Sequence, residues 1–390
     1  MKITNETKVV LHPLKIKKDQ KHYIVEDVLS GEYYEMPQIC IDAIHFIQEG
    51  RTLGEVEALL KNNFPEEDVQ VLDFAHQLLD LHLVKEIDGE EVSVEKSNVV
   101  KNSFRWIHPK FGQLFFNRWS IYGYGMLFLV NILILILNHQ LTPSYKDIFI
   151  FDIMTMNIFL WLLISFCSVM IHEFGHVLAA RAYDLPTTMN LGHRLFFVVF
   201  ETDLSRAWSL APKDRNVLYL AGMCFDQVLL FVALVGQMLM PNAAILAIVV
   251  LDVFMRTAFQ CCFYMKTDIY YVFENITGCY NLMENGKRNL RKWIPFTQSD
   301  EQLEAFNGEQ RVVTLYSLFY LVGVGITMLL FMMYYIPQAI YAFNQTLPHF
   351  VSMELDTYFW DSFLFIGQFC LMFGFLIYSW MKNSRLHEKA

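Results

Sequence analysis

The sequence predicts a mainly α-helical polytopic membrane protein, a bundle of about six transmembrane helices preceded by a small α+β cytosolic domain. Three observations predict it. Of the 390 residues, 54% are hydrophobic and only 18% charged, which is too apolar for a soluble chain of this length. Charge is dense through residues 1–97 and sparse afterwards, where uncharged stretches recur at the ~20 residues a bilayer-spanning helix needs. Lys and Arg gather in alternate loops between those stretches.

Formal charge excludes one class of partner. Lys plus Arg number 30 against 40 Asp plus Glu, a net −10, so no nucleic acid is expected as a ligand. The seven cysteines are scattered and contain no C-x-x-C, the pattern of free thiols and not of a disulfide or zinc framework.

Residues 1–97 read as a separate domain. The first ten residues are polar and lack a signal-peptide pattern, so the N-terminus is expected to stay in the cytoplasm. His22–Asp27 and Glu32–Met36 are predicted strands around the turn pair Ser30-Gly31. A helix is expected from Gln38 to Glu49, stopping at Gly50. Thr52 with Glu55 three residues on is a capping box for a second helix. Pro65, Glu66 and Glu67 are expected to open a third, and Leu83–Ile87 to close the domain as a strand. A basic juxtamembrane linker follows at 98–118, then the membrane domain at 119–381 and a cytosolic tail at 382–390.

Six spans are predicted: Trp119–Tyr145, Ile153–Ile171, Val217–Met240, Ala243–Met265, Val312–Ile336 and Ser362–Met381, with Pro241-Asn242 as a tight turn. Loop 184–216 holds Arg194, Arg206, Lys213 and Arg215. Loop 266–311 holds Lys266, Lys287, Arg288, Arg291, Lys292 and Arg311, and the tail holds Lys382, Arg385 and Lys389. Segments 139–152, 241–242 and 337–359 together hold only Lys146. A multi-pass protein of the cell membrane with both termini cytoplasmic is expected.

Inside the second span stands His172-Glu173-Phe174-Gly175-His176, an H-E-x-x-H motif. The i, i+4 spacing puts both imidazoles on one helical face, where they can share a tetrahedral Zn²⁺, with Glu173 beside them to accept a proton from water. A membrane helix excludes ionisable groups unless they pair or line a cavity. A hydrolytic zinc needs a third protein ligand at the same depth. Asp268, just past the fourth span, is the first candidate. Asp252 has Arg256 four residues on as a partner. Asp226 could instead bind a histidine from behind. Trp208 and His193 read as interfacial anchors or as an entrance for substrate, and Tyr270 and Tyr271 as belt aromatics.

Two resemblances follow from these motifs. The N-terminal pattern Tyr23-Ile24-Val25, Ser30-Gly31-Glu32-Tyr33-Tyr34-Glu35-Met36, Gly50-Arg51-Thr52-Leu53 and Leu81-His82-Leu83-Val84 resembles PqqD-like domains. That resemblance implies a winged-helix-like unit that binds a leader peptide, and an edge strand would allow β-augmentation. From the second span to the loop after the fourth, the chain resembles the site-2 protease family of intramembrane zinc metalloproteases, in its peptide zinc metalloprotease branch. The H-E-x-x-H motif is followed by Glu201-Thr202-Asp203, Ala207-Trp208-Ser209-Leu210, Ala221-Gly222, Asp268-Ile269-Tyr270-Tyr271 and Asn281-Leu282. The resemblance implies His172, His176 and Asp268 as zinc ligands and Glu173 as the catalytic residue. In two places the chain departs from the family. Ile269 stands where the family has glycine, and Gly222-Met223-Cys224-Phe225-Asp226 replaces Gly-Pro-x-x-Asn.

The expected function is that of a membrane-embedded zinc metallopeptidase cutting a peptide bond near the cytoplasmic face, in the maturation of a ribosomally made, bacteriocin-like precursor. Its partners would be a peptide or membrane-protein substrate, the lipid bilayer, and a leader peptide held by residues 1–97. The alternatives are a binding or export-accessory protein that keeps the zinc site without proteolysis, and a regulated intramembrane protease acting on a single-span signalling protein.

Overall fold

The computed structural model describes residues 3–20, 22–92, 104–194, 197–279, 281–293 and 309–387. The expected boundary at 97/98, residues 280 and 294–308 of loop 266–311, and Lys389 lie outside the described residues. The chain is mainly helical, with a small sheet region near its N-terminus. It forms two compact units. The first comprises Met1–Asn117, His176–Leu220 and Tyr271–Thr314, the second Arg118–Gly175, Ala221–Tyr270 and Leu315–Ala390.

The first unit begins with β1 (Val9–Leu11), β2 (Leu14–Asp19), β3 (His22–Asp27) and β4 (Tyr33–Met36). β2, β3 and β4 form an antiparallel sheet in that order. The β3–β4 hairpin is the one expected around Ser30-Gly31: Tyr23 pairs with Met36 and Glu26 with Tyr33. Gly31 has φ +71°, which glycine adopts without a Cβ penalty. The Asp27 carboxylate accepts from the N–H groups of Leu29 and Ser30 at 3.0 and 3.1 Å. Strands β1 and β2 were not expected. In β2, Lys15 and Lys17 are exposed while Leu14 and Ile16 are half-buried, so this is a lysine-lined edge whose sequence reads as polar.

Next come α1 (Gln38–Gln48), α2 (Leu53–Asn63), α3 (Val71–Asp80), β5 (Val84–Ile87) and β6 (Glu90–Glu91). Gly50, at φ +83°, ends the first helix as expected. The capping box is present: Thr52 N–H donates to Glu55 Oε2 at 2.9 Å and Glu55 N–H to Thr52 Oγ1 at 3.4 Å. The third helix does not open at Pro65. The chain first turns, with Glu67 N–H donating to the Phe64 carbonyl at 3.2 Å, and helix begins only at Val71. β5 pairs antiparallel with β1. Val25, Ile44, Val56, Leu78 and Leu83 are fully buried between these helices and strands.

The remaining elements are α4 (Pro109–Phe115), α5 (Arg118–Leu137), α6 (Met154–Ala182), β7 (Met189–Arg194), β8 (Phe197–Thr202), α7 (Pro212–Leu239), α8 (Ala244–Phe259), α9 (Asp268–Thr277), α10 (Leu282–Trp293), α11 (Gln310–Leu330), α12 (Ile336–Ser352) and α13 (Thr357–His387). Within the first unit, β7 and β8 form an antiparallel hairpin. Arg215, at the start of α7, is fully buried. It donates to the Asp19 carboxylate and to Asn275 Oδ1 at 3.2 Å, and its guanidinium lies 4.7 Å over the Trp208 ring. Gln20 Nε2 donates to the Asn275 carbonyl at 2.6 Å.

Among the described residues, five helical stretches are long and apolar enough to cross a membrane: Pro109–Leu137, Met154–Ala182, Pro212–Leu239, Gln310–Ser352 and Thr357–Phe375. On α5, Trp119, Met126, Leu129 and Leu137 are each at least 66% exposed, the pattern of a helix whose solvent is not water. At 16 residues, α8 is ~24 Å long at ~1.5 Å per residue, short of the ~30 Å hydrocarbon core. The turn expected at Pro241-Asn242 separates α7 from α8.

Segment 337–359, expected as a loop, is mostly helix. The α11 helix continues through a π turn, Phe331–Tyr335, into α12. Pro337 would break an ordinary helix because it lacks an N–H and its ring meets the carbonyl four residues back. The wider π turn just before it absorbs both defects. Within the second unit, Phe343 of α12 packs on Phe365 and Phe369 of α13, with ring centroids 5.4 and 5.1 Å apart. Asp361 of α13 accepts from the N–H groups of Met154 and Thr155 at 2.6 and 2.8 Å, so a carboxylate caps the first turn of α6.

Candidate metal centre

His172, Glu173 and His176 lie on one face of α6 and are 6%, 9% and 3% exposed. Their ligand atoms are all within 4.8 Å of one another, and among the described residues this is the group of His, Cys, Asp and Glu side chains that could hold a metal ion. The motif therefore has the helical geometry that its spacing predicts. Gly175, inside it, is required by packing within the second unit: a Cβ there would lie 2.6 Å from the Ala221 carbonyl oxygen of α7. Ala221 is the first residue of the expected Ala-Gly pair.

Each imidazole is held from behind. His172 Nδ1 is 2.7 Å from Asp226 Oδ2, and His176 Nδ1 is 2.8 Å from the Leu218 carbonyl oxygen. A carbonyl oxygen only accepts, so His176 donates to it through Nδ1.

Asp268 meets this histidine from the other side, its Oδ2 lying 3.1 Å from His172 Nε2. Asp268 is the first residue of α9. Gln260 grips it twice: Gln260 Nε2 donates to Asp268 Oδ2 and Asp268 N–H donates to Gln260 Oε1, both at 3.0 Å. The Thr267 hydroxyl donates to the Gln260 carbonyl at 2.8 Å. The left-handed residue of this turn is Lys266, at φ +50°. Ile269 lies inside α9, where any L residue fits, so the glycine of the resembled family is not needed here.

Asp252 keeps the partner its spacing predicts, with Arg256 NH2 at 2.7 Å. Arg256 NH1 also reaches Asp226 Oδ1 at 3.4 Å. Compared with known proteins, the chain matches no family model, no curated protein and no solved structure.

Several residues of the resembled motif have structural work. Asp203 accepts from Ser205 N–H at 2.9 Å and opens the 3₁₀ turn Ser205–Ser209. Trp208 lies under the Arg215 guanidinium. Tyr270 is 1% exposed and packs edge-on to Tyr316 at 5.8 Å, so it is core and not belt. Tyr271 packs beside Tyr219 at 5.7 Å. Asn281, at φ +57°, precedes α10, whose first N–H, that of Leu282, donates to Glu274 Oε1 at 3.2 Å. Sequence reasoning missed Gln260, the Leu218 carbonyl and the link from Arg256 to Asp226.

Proposed function

We propose that the chain is a membrane-embedded zinc metallopeptidase of site-2 protease type, with His172, His176 and Asp268 as the metal ligands and Glu173 as general base. The observation that carries this reading is the buried helical face on which His172 and His176 offer ligand atoms within 4.8 Å of each other, with Glu173 in the same group and the Asp268 carboxylate beside His172. His172 Nε2 and Asp268 Oδ2 lie 3.1 Å apart. The spacing is close to that of two donors sharing one four-coordinate ion at ~2.0–2.2 Å each. Two imidazoles and one carboxylate also form a donor set suited to zinc with a position left open.

When bound, zinc supplies Lewis acidity that makes water acidic near neutral pH and polarises a carbonyl. The chain's own residues do the rest. Glu173 accepts the proton from the attacking water and returns it to the amine as the C–N bond breaks. Asp226 and the Leu218 carbonyl keep the imidazoles in one tautomer and one orientation, and Gln260 keeps Asp268 in place. Because helical substrate carbonyls are hydrogen-bonded internally, the substrate must unwind, and an extended peptide is the bound form.

In this reading α8 is a short fourth crossing segment of a six-helix cell-membrane bundle. Both termini are cytoplasmic, by the distribution of Lys and Arg. Residues 1–97, as a winged-helix-like, PqqD-like unit, hold the leader of a ribosomally made, bacteriocin-like precursor. The place of β2 at an edge of its sheet supports this as a site where an extended peptide could add a strand.

The test uses the full chain with a precursor peptide encoded beside its gene. Wild type is expected to hold about one zinc per chain and to cleave the peptide. Glu173→Gln is expected to keep the metal and lose cleavage, whereas His176→Ala loses both. Metal binding without cleavage of this peptide or of a neighbouring single-span protein would overturn the peptidase reading.

A further inference from the structure

We propose that Arg256, tied to Asp252, is a positioning residue for His172 and acts on it through Asp226. The proposal rests on the metal-site reading above and adds a role for a cation that no ligand set requires. All four residues belong to the second unit.

The geometry is a chain of alternating charge. Arg256 NH2 is 2.7 Å from Asp252 Oδ2, Arg256 NH1 is 3.4 Å from Asp226 Oδ1, and Asp226 Oδ2 is 2.7 Å from His172 Nδ1. Asp226 is 1% exposed and Asp252 8%. The two oxygens of Asp226 thus serve different partners, so the carboxylate cannot rotate without losing one of them. Its plane in turn sets the plane of the imidazole, and with it the direction of Nε2.

Arginine suits this task for a specific reason. A guanidinium offers separate, rigidly oriented N–H groups, so it can bridge two carboxylates on different helices. Asp252 lies one turn before Arg256 on α8 and fixes the fork, while Asp226 lies on α7. A carboxylate buried beside a histidine alone would be costly in an apolar interior, and a paired guanidinium offsets that cost. The plainer role for Arg256, a staple between α7 and α8, predicts effects on stability and none on the metal.

The experiment measures zinc affinity of the full chain in detergent by competition with a chromophoric chelator, alongside the visible spectrum of the cobalt-substituted protein. Arg256→Met is expected to weaken zinc roughly tenfold, the lower end of what outer partners of a ligating histidine contribute, and to shift the cobalt bands. Arg256→Lys keeps the charge without the fork, and is expected to recover thermal stability but not the cobalt spectrum. Asp226→Asn with Arg256→Met should bind no more weakly than Asp226→Asn alone, because the two act in series. Wild-type affinity and spectrum in Arg256→Met, or additive losses in the double variant, would overturn the proposal while leaving the peptidase reading intact. A wild type that takes up neither zinc nor cobalt would overturn both. If Arg256→Met does not fold, Arg256→Lys decides by the same two readouts.

Discussion

Gln260 holds Asp268 by both atoms of its amide, accepting the backbone N–H and donating to the carboxylate at 3.0 Å each. This two-point grip spans the turn between α8 and α9 and sets where the carboxylate points. Gln260→Ala is therefore expected to lower zinc affinity by roughly tenfold, read by chelator competition, with little change in helix content. Unchanged affinity would show that Asp268 is oriented without it.

Gly175 is the second prediction. A methyl group there would meet the Ala221 carbonyl oxygen at 2.6 Å, and backbone cannot give way as a side chain can. Gly175→Ala is expected to force α6 and α7 apart locally at about 1–3 kcal/mol, seen as a lower unfolding temperature. Because His172 and His176 flank this contact, metal content should fall with it.

Arg215 gives the third. Fully buried, it pairs with Asp19 and Asn275 and covers Trp208. Arg215→Ala leaves the Asp19 carboxylate buried without this cation, and breaking a buried pair costs about 3–5 kcal/mol. Thermal unfolding is expected to show that loss, and proteolysis to reach the β2–β3 turn. Lysine at this position, having no planar fork or stacking face, should recover only part.

Glu35 sets a pH dependence. Burial, together with the negative charges of Glu309, Glu274 and Asp19, pushes its carboxyl up to about 8 from an ordinary 4.5. Between those values the folded chain keeps a proton that the unfolded chain has released, so stability falls as pH rises and levels off above about 8. Glu35→Gln lacks this titration. The unfolding temperature of the variant relative to wild type is expected to climb between pH 5 and 8 and then hold constant. A difference independent of pH would contradict it.

What could be read in advance was what depends on near neighbours in the chain. His172, Glu173 and His176 share a face because the helical period dictates it, and the capping box at Thr52 and the Asp252–Arg256 pair follow from spacings of three and four. Asp268 was reached by counting depth along the expected spans, a coarse ruler, and its Oδ2 lies 3.1 Å from His172 Nε2. Gln260 and the Leu218 carbonyl were invisible because their partners lie on other segments or involve backbone, which no side-chain pattern encodes. Strand β2 hid behind lysines that mark an edge as if it were a loop, and β1 is only three residues long. The α12 helix hid behind Pro337, whose usual meaning is a break, since a widened turn does not show in composition.

The π turn at Phe331–Tyr335 leaves a lasting mark on the longest rod in the molecule. One extra residue in a turn rotates everything beyond it by about 100° relative to an uninterrupted helix. Phe343 and Ala342 therefore owe their direction toward α13 to that single surplus position. Deleting one residue there would swing Phe343 away from Phe365 by a quarter of a circle and thrust Pro337 back into an ordinary turn that has no room for it.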